Sequence, residues 1–137
     1  MGRYVLDAFA VLALFNDEPG APRVESILRE AQAGRDDVFL TVVNLGESLY
    51  RLHQDRGPDA PGEAYAEILQ WPVTLVEVDQ DLALAASSHK ALRKMGYMDA
   101  FAVALADRLR AVVVTGDHDF DNALDVIEVE WLPQRPR

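Results

Sequence analysis

The sequence predicts an α/β protein in which a central parallel sheet of about five strands lies between layers of helices. Short β-prone segments alternate with helix-like segments along the chain, and the segment 111–114 is apolar throughout. Strands separated by helices favour parallel pairing, and a continuous apolar strand is typical of one buried on both faces. The 137 residues suit one domain with a single core. We assign 1–132 to this domain and 133–137 to a C-terminal tail.

The individual elements follow from local patterns along the chain. Strands are predicted at 3–6, 38–40, 73–78, 111–114 and 126–129. Helices are predicted at 8–15, 22–33, 42–55, 63–69, 79–95 and 98–109. Pro22 suits a first helical turn, Asp79 is a good N-cap and Gly96 is typical of a helix end. The segments 56–62 and 116–122 are rich in turn residues and are predicted to be loops.

Composition excludes several classes of protein. The chain has no cysteine, so it has no disulfide, no thiolate nucleophile and no cysteine-based zinc site. Its formal net charge of −10 argues against a protein that binds nucleic acid by bulk electrostatic attraction. The apolar run 8–15 is too short for a membrane span and lacks a signal-peptide cleavage site. We therefore expect a cytoplasmic protein with no membrane association.

Acidic residues recur at one predicted edge of the sheet. They are Asp7, Glu47, Asp99 and Asp117, followed by Asp119 and Asp121. Parallel α/β sheets bind their ligands beyond the carboxyl ends of the strands. Converging carboxylates repel one another, and a hard divalent cation such as Mg²⁺ or Mn²⁺ removes that cost. The pattern therefore indicates a metal site that could support phosphodiester hydrolysis.

Each acid also has an ordinary structural explanation. Asp7 and Asp99 could cap helices, and Glu47 could pair with Arg51 one helical turn further on. The acids in 117–121 could be turn residues. Asp99, however, heads an apolar helical stripe, which indicates that its carboxylate points towards the sheet.

Four segments follow one another along the chain: RYVLD at 3–7, TVVNLGE at 41–47, YMDAFAVALA at 97–106 and VTGDHDF at 114–120. In this succession they resemble the motifs of the PIN-domain nucleases, and in particular the VapC-type toxins of bacterial toxin–antitoxin pairs. The resemblance covers essentially the whole chain. It implies an endoribonuclease that depends on Mg²⁺ or Mn²⁺, forms a homodimer, and is held inactive by a cognate antitoxin.

The resemblance also implies roles for individual residues. The acidic quartet that binds metal and carries catalysis corresponds to Asp7, Glu47, Asp99 and Asp117. Asp119 or Asp121 could share or replace the role of Asp117 as a metal ligand. Thr115 matches the hydroxyl residue that supports the first aspartate, and Asn44 matches a recurrent polar position before the glutamate.

Basic side chains near the acids are candidates for binding RNA phosphates. They are Lys90, Arg93 and Lys94 in one cluster, and Arg51 and Arg56 in another. Both clusters could equally be solvated helix surfaces. His118 is expected at the surface, and Trp71 and Trp131 are expected to pack in the fold.

Two other functions remain open at this point. One is a phosphoacceptor signalling domain, which would require paired acids after the first strand, where this chain has Asp7 followed by Ala8 and Phe9. It would also require an aspartate at the end of the third strand, where Asp79 is instead expected to cap a helix. The other is a non-catalytic interaction domain with a vestigial acidic metal site. Metal-dependent RNA cleavage by the pure protein would separate the nuclease from both.

Overall fold

The computed structural model describes residues 2–136, which form five strands and six α-helices. The strands are β1 Arg3–Leu6, β2 Asp37–Thr41, β3 Thr74–Val76, β4 Val112–Thr115 and β5 Glu128–Trp131. The α-helices are α1 Ala8–Phe15, α2 Ala21–Gln32, α3 Val42–Arg56, α4 Ala60–Ile68, α5 Gln80–Leu92 and α6 Tyr97–Leu109. A 3₁₀ helix covers His118–Ala123.

The five strands form one sheet in the order β3-β2-β1-β4-β5, and all neighbouring strands are parallel. This arrangement confirms the predicted fold class. The chain builds outward from β1 to β3 and then crosses back to place β4 against the other side of β1. The strand order therefore reverses between β1 and β4. In open α/β sheets, the crevice beyond the carboxyl ends of two such strands is the usual binding site.

The two central strands are buried by helices on both faces of the sheet. Val5 in β1 and Val113 in β4 pack into one cluster with α5 and α6, whereas Leu6 and Val114 pack into another with α1 and α2. All four side chains are fully buried. Each such side chain stabilises the fold by about 1.5–3 kcal/mol through apolar burial. The ends of β1 and β4 are thereby held rigidly.

Two predicted loops contain helical turns. The segment predicted as a loop at 56–62 includes the start of α4, because Pro61 fits a first helical turn, where no N–H is needed. The predicted loop 116–122 contains the 3₁₀ helix, and the carboxylate of Asp117 caps it by accepting a hydrogen bond from the Asp119 N–H at 2.9 Å. Turn-rich composition located both chain reversals but missed the helices within them.

Other element ends differ from the predicted ones for tertiary reasons. α5 ends at Leu92, three residues early, because Arg93 has an extended backbone and its side chain pairs with Asp125 at 2.9 Å. β5 begins two residues later than predicted because it pairs along the whole of β4. β3 contains only the residues that pair with β2. Over residues 2–136, no helix has the length and apolar character needed to cross a membrane.

Candidate metal centre

Asp7 lies at the junction of β1 and α1, and its two carboxylate oxygens have different partners. Oδ1 accepts the Ala10 N–H at 2.9 Å and so caps α1, while Oδ2 accepts a hydrogen bond from the Thr115 hydroxyl at the end of β4. The Thr115 oxygen in turn accepts the Asp117 N–H at 3.0 Å. Asp7 is therefore a helix cap and is also linked to the acids that follow β4.

Asp99 lies in the first turn of α6 but does not cap it. The N-cap is Gly96, so the capping explanation for Asp99 is wrong. Oxygen atoms of three carboxylates, those of Asp99, Asp117 and Asp119, lie within 4.8 Å of one another. The structure thus brings acids from α6 and from the segment after β4 into one group.

Glu47 lies on the buried side of α3 and combines the two explanations considered for it. Its Oε2 pairs with Nη2 of Arg51 at 2.9 Å, as expected for residues one turn apart. Its Oε1 is buried and has no hydrogen-bond partner among the residues that the structure describes. A buried acceptor left without a donor costs free energy. This oxygen is positioned to accept a ligand that carries positive charge.

Asn44 connects the helices that carry Glu47 and Asp99. Its Oδ1 accepts the Thr41 hydroxyl hydrogen at 2.6 Å, and its Nδ2 donates to the Met98 carbonyl at 3.1 Å. The first turns of α3 and α6 are therefore joined by a buried side chain. Asn44 positions the two acids relative to each other without belonging to the acidic group.

Of the three acids after β4, Asp117 and Asp119 join the acidic group and Asp121 does not. Asp121 instead lies 3.2 Å from Nδ1 of His118, on the exposed side of the 3₁₀ helix. The His118 ring stacks on Trp131, with 4.3 Å between ring centroids. Geometry therefore favours Asp117 and Asp119 over Asp121 as ligands.

The electrostatics of the site disfavour the ionised acids. Burial, with repulsion from Asp99 and Asp117, raises the pKa of Asp7 from 3.8 to about 7. Burial, with repulsion from Asp117, Glu47 and Asp119, raises the pKa of Asp99 to about 7 as well. Burial also raises the pKa of Glu47, against the attraction of Arg51.

The donor set fits a hard divalent cation. Every donor is a carboxylate oxygen, the donor type that Mg²⁺ and Mn²⁺ prefer. A cation would relieve the repulsion among the acids, including the repulsion between Glu47 and Asp117. Asp99, Asp117 and Asp119 are the acids placed closest together for this purpose.

The predicted phosphate-binding residues are not equally close to the acids. Arg51 contacts Glu47, whereas Arg93 has only 11% of its side chain exposed and pairs with Asp125. Lys90 and Lys94 are exposed on and after α5. Arg56 donates to the Phe15 carbonyl and the Asn16 side chain. Only Arg51 of these residues is recorded in contact with an acid of the site.

A cavity of about 570 Å³ opens beside the acids, and the predicted C-terminal tail forms part of its wall. Its lining includes Arg51, Asp117 and Asp119 together with Gln134 and Arg135. Gln134 and Arg135 could not be predicted from the sequence as part of the site, because a polar segment without periodicity carries no local signal of where it packs.

The family assignment follows from a comparison with known domains. The family model described as PIN domain matches residues 4–124. The chain therefore belongs to the PIN domain family, whose members are nucleases that use divalent metal ions. A search of curated protein sequences found no significant match.

Solved structures of toxin–antitoxin proteins share the fold over almost the entire chain. The VapBC2 complex of Rickettsia felis, bound to a DNA fragment from its promoter, superimposes with a TM-score of 0.75 at 12% identity, covering 96% of this chain and 99% of the other. VapC20 of Mycobacterium tuberculosis, a toxin that cleaves the sarcin–ricin loop, gives 0.73 at 23% identity, with 95% and 99% covered. The DNA-bound VapBC of Salmonella typhimurium gives 0.73 at 18% identity, with 95% and 98% covered.

Proposed function

We propose that this protein is a metal-dependent endoribonuclease that hydrolyses RNA phosphodiester bonds with Mg²⁺ or Mn²⁺. The observation that carries the proposal is the group formed by Asp99, Asp117 and Asp119 at the point where the strand order reverses. Glu47 and Asp7 lie outside this group of three, but their buried carboxylates are close enough to Asp117 for mutual repulsion. Such a site is suited to holding a cation against a phosphate.

The chain's own residues would divide the chemistry among themselves. Asp99, Asp117 and Asp119 would hold the ion, with Glu47 beside them. A bound divalent ion supplies charge neutralisation at the attacked phosphate and lowers the pKa of a water molecule. Thr115 favours the ionised form of Asp7 through its hydrogen bond. Arg51 is the side chain that can pass from Glu47 to a phosphate oxygen as RNA enters.

We further propose that the protein is the toxin of a toxin–antitoxin pair, acts as a homodimer, and is inhibited by its cognate antitoxin. The support is the likeness in fold to toxins solved with their antitoxins, which extends over more than nine-tenths of both chains. The proposed RNA substrate is consistent with the cytoplasmic location predicted from the sequence.

The phosphoacceptor alternative has no support in the structure. Asp79, the aspartate that follows β3, caps α5 by accepting the Leu82 N–H at 2.7 Å and pairs with Arg108 at 3.1 Å. These partners give it a structural role. The non-catalytic alternative is decided by the experiment that follows.

The test is cleavage of a single-stranded RNA by the purified protein, free of any partner. We expect cleavage with Mg²⁺ or Mn²⁺ and none in EDTA, and a loss of at least about 100-fold in Asp99→Asn. The matched control is Asp107→Asn, an exposed acid further along the same helix, which should keep full activity. Undiminished cleavage in EDTA, or by Asp99→Asn, would refute the mechanism. If the protein binds the metal ion but does not cleave RNA, the result would favour the alternative of a non-catalytic domain with a vestigial metal site.

A further inference from the structure

We propose that Arg135, in the C-terminal segment, is a substrate-positioning residue that binds an RNA phosphate adjacent to the acidic site. The segment then forms one wall of the substrate cleft. This inference rests on the proposed ribonuclease function and extends it to a residue outside the motifs that carry the family resemblance.

The C-terminal segment is attached to the loop that carries the acids. The Leu132 N–H donates to the Thr115 carbonyl at 2.8 Å, and the Leu132 side chain is buried. Two residues further on, the Gln134 amide donates to the Gly116 carbonyl. Gly116 lies between Thr115 and Asp117. The position of the segment is therefore set by the same backbone that places Asp117.

Arg135 is held at the cavity wall with part of its guanidinium open to solvent. Its Nε donates to Glu18 at 2.5 Å, and its Nη2 lies 3.4 Å from the carbonyl oxygens of Asn16 and Asp17. The side chain is 61% exposed. Within residues 2–136, Nη1 has no recorded hydrogen-bond partner. A guanidinium with free N–H groups can add a phosphate oxygen to its existing contacts.

The charge of the cleft requires such a cation. The protein carries a formal net charge of −10, and Glu18, Asp117 and Asp119 all line the cavity. At positions distant from a bound metal ion, these acidic side chains repel the phosphates of an RNA backbone that enters the cavity. The arginines in the lining are Arg51 and Arg135, contributed by α3 and by the C-terminal segment. They can neutralise phosphates on either side of the one that is cleaved.

The contacts of Arg135 also allow a purely structural role. Its bonds to the end of α1 resemble a basic side chain stabilising a helix C-terminus. Exposed ion pairs are weak, so Arg135 can exchange Glu18 for a phosphate at little cost. The two roles differ in one measurable respect, because only a phosphate contact changes how binding depends on salt.

The experiment measures binding of a fluorescent single-stranded RNA to the nuclease-inactive Asp99→Asn protein over a range of KCl concentrations. Adding Arg135→Ala should weaken binding about fivefold at 0.1 M salt. It should also reduce the slope of log affinity against log salt by about 0.7, the value for one phosphate contact on a single strand. Arg135→Lys should retain the slope.

The matched control is Arg35→Ala. Arg35 forms a similar exposed ion pair with Glu30, but it precedes β2 and so lies at the edge of the sheet opposite the acids. Its removal subtracts the same charge and should leave the slope unchanged. In the active protein, Arg135→Ala should raise KM and leave kcat unchanged.

Two results would contradict the inference separately. If Arg135→Ala lowers Tm but leaves the salt slope and KM at their wild-type values, the role is structural and the proposal is overturned. If the wild-type protein neither binds nor cleaves RNA, while Mg²⁺ still raises its Tm, the ribonuclease function itself fails and this proposal fails with it.

Discussion

Asp99 is an acid whose surroundings oppose its charge. In the absence of metal its pKa of about 7 lies well above the 3.8 of an unfolded chain. The neutral acid therefore contributes stability that is complete below about pH 4 and is lost as the pH rises through 7. The raised pKa of Asp7 changes stability with pH in the same direction. Stability that depends on pH in this window is a signature of an acidic site prepared for a cation.

Asp99→Asn should stabilise the metal-free protein at pH 8 and change it little at pH 4. Asparagine resembles the neutral acid, so the substitution should raise the free energy of unfolding at pH 8. We expect an increase of about 1–2 kcal/mol, because solvent screening at the partly exposed Asp99 reduces the effect. That corresponds to a rise in Tm of several degrees. The measurement is thermal unfolding in EDTA at both pH values, with Asp107→Asn as the control that should not change. An equal shift at both pH values would show that charge is not the cause.

Thr115→Val should weaken metal binding while keeping the fold. Valine matches the shape of threonine but can neither donate to Asp7 nor accept the Asp117 N–H. Groups that orient metal ligands typically contribute about 10–100-fold to affinity. The hydrogen bond from Thr115 lowers the pKa of Asp7, so its loss should raise that pKa. The pH profile of cleavage should therefore also shift to higher pH. The readout is the Mg²⁺ dependence of cleavage across pH. Thr115→Ser should behave as wild type, and a valine variant with unchanged Mg²⁺ dependence would contradict the role.

At the scale of elements, the site depends on how closely α1 approaches the end of β4. A Cβ atom at Gly116 would lie 2.4 Å from the Phe9 ring, so a larger residue at this contact requires the Phe9 ring or α1 to move. Gly46, in contrast, lies within α3 and would meet nothing within 4 Å. Substituting alanine at each of the two glycines therefore tests whether packing or local helix preference determines the effect on stability.

Gly116→Ala should destabilise the protein by about 1–3 kcal/mol, because the Phe9 ring must rotate away or α1 must shift to admit the methyl group. Gly46→Ala should stabilise it by about 0.5–1 kcal/mol, because alanine favours a helix interior. Urea unfolding of both variants measures the difference. Stabilisation by Gly116→Ala would show that α1 does not approach β4 as closely as described.

At the scale of the whole molecule, an acidic protein with an acidic site is suited to a basic inhibitor. The formal net charge is −10. An arginine presented at the acids would relieve the repulsion that a metal ion relieves, and its planar group binds carboxylates through two hydrogen bonds. We therefore expect the antitoxin to place an Arg or Lys near Asp7, Glu47, Asp99 and Asp117.

Expression of this protein alone should arrest growth, whereas co-expression with a small protein encoded beside it should yield a stable complex without nuclease activity and should restore growth. A pulldown followed by a cleavage assay on the complex measures both effects. Replacing the inserted Arg or Lys by Ala should restore cleavage while the complex still forms. A neighbour that neither binds nor inhibits would contradict the toxin–antitoxin assignment and leave the nuclease chemistry in place.

Much of the fold could be predicted from the sequence because its determinants are local. Alternation of apolar strands with amphipathic helices implies a parallel sheet, and the caps at Asp7 and Asp79 depend on side chains within three residues of the N–H groups they bind. The start of α4 and the 3₁₀ helix were missed because proline and acidic residues serve turns and helix starts equally well.

For the candidate site, the sequence by itself determined which residue types follow the strands, and so the chemistry they are suited to. Only the tertiary structure decided which of them meet. Asp119 joins Asp99 while Asp121 turns to His118, Arg93 pairs with Asp125, and Arg135 reaches the cavity from the far end of the chain. The physical reason is that, apart from the local pair of His118 and Asp121, these contacts depend on strand order and helix packing, which join residues about 20 to 120 positions apart and leave no periodic pattern in the sequence.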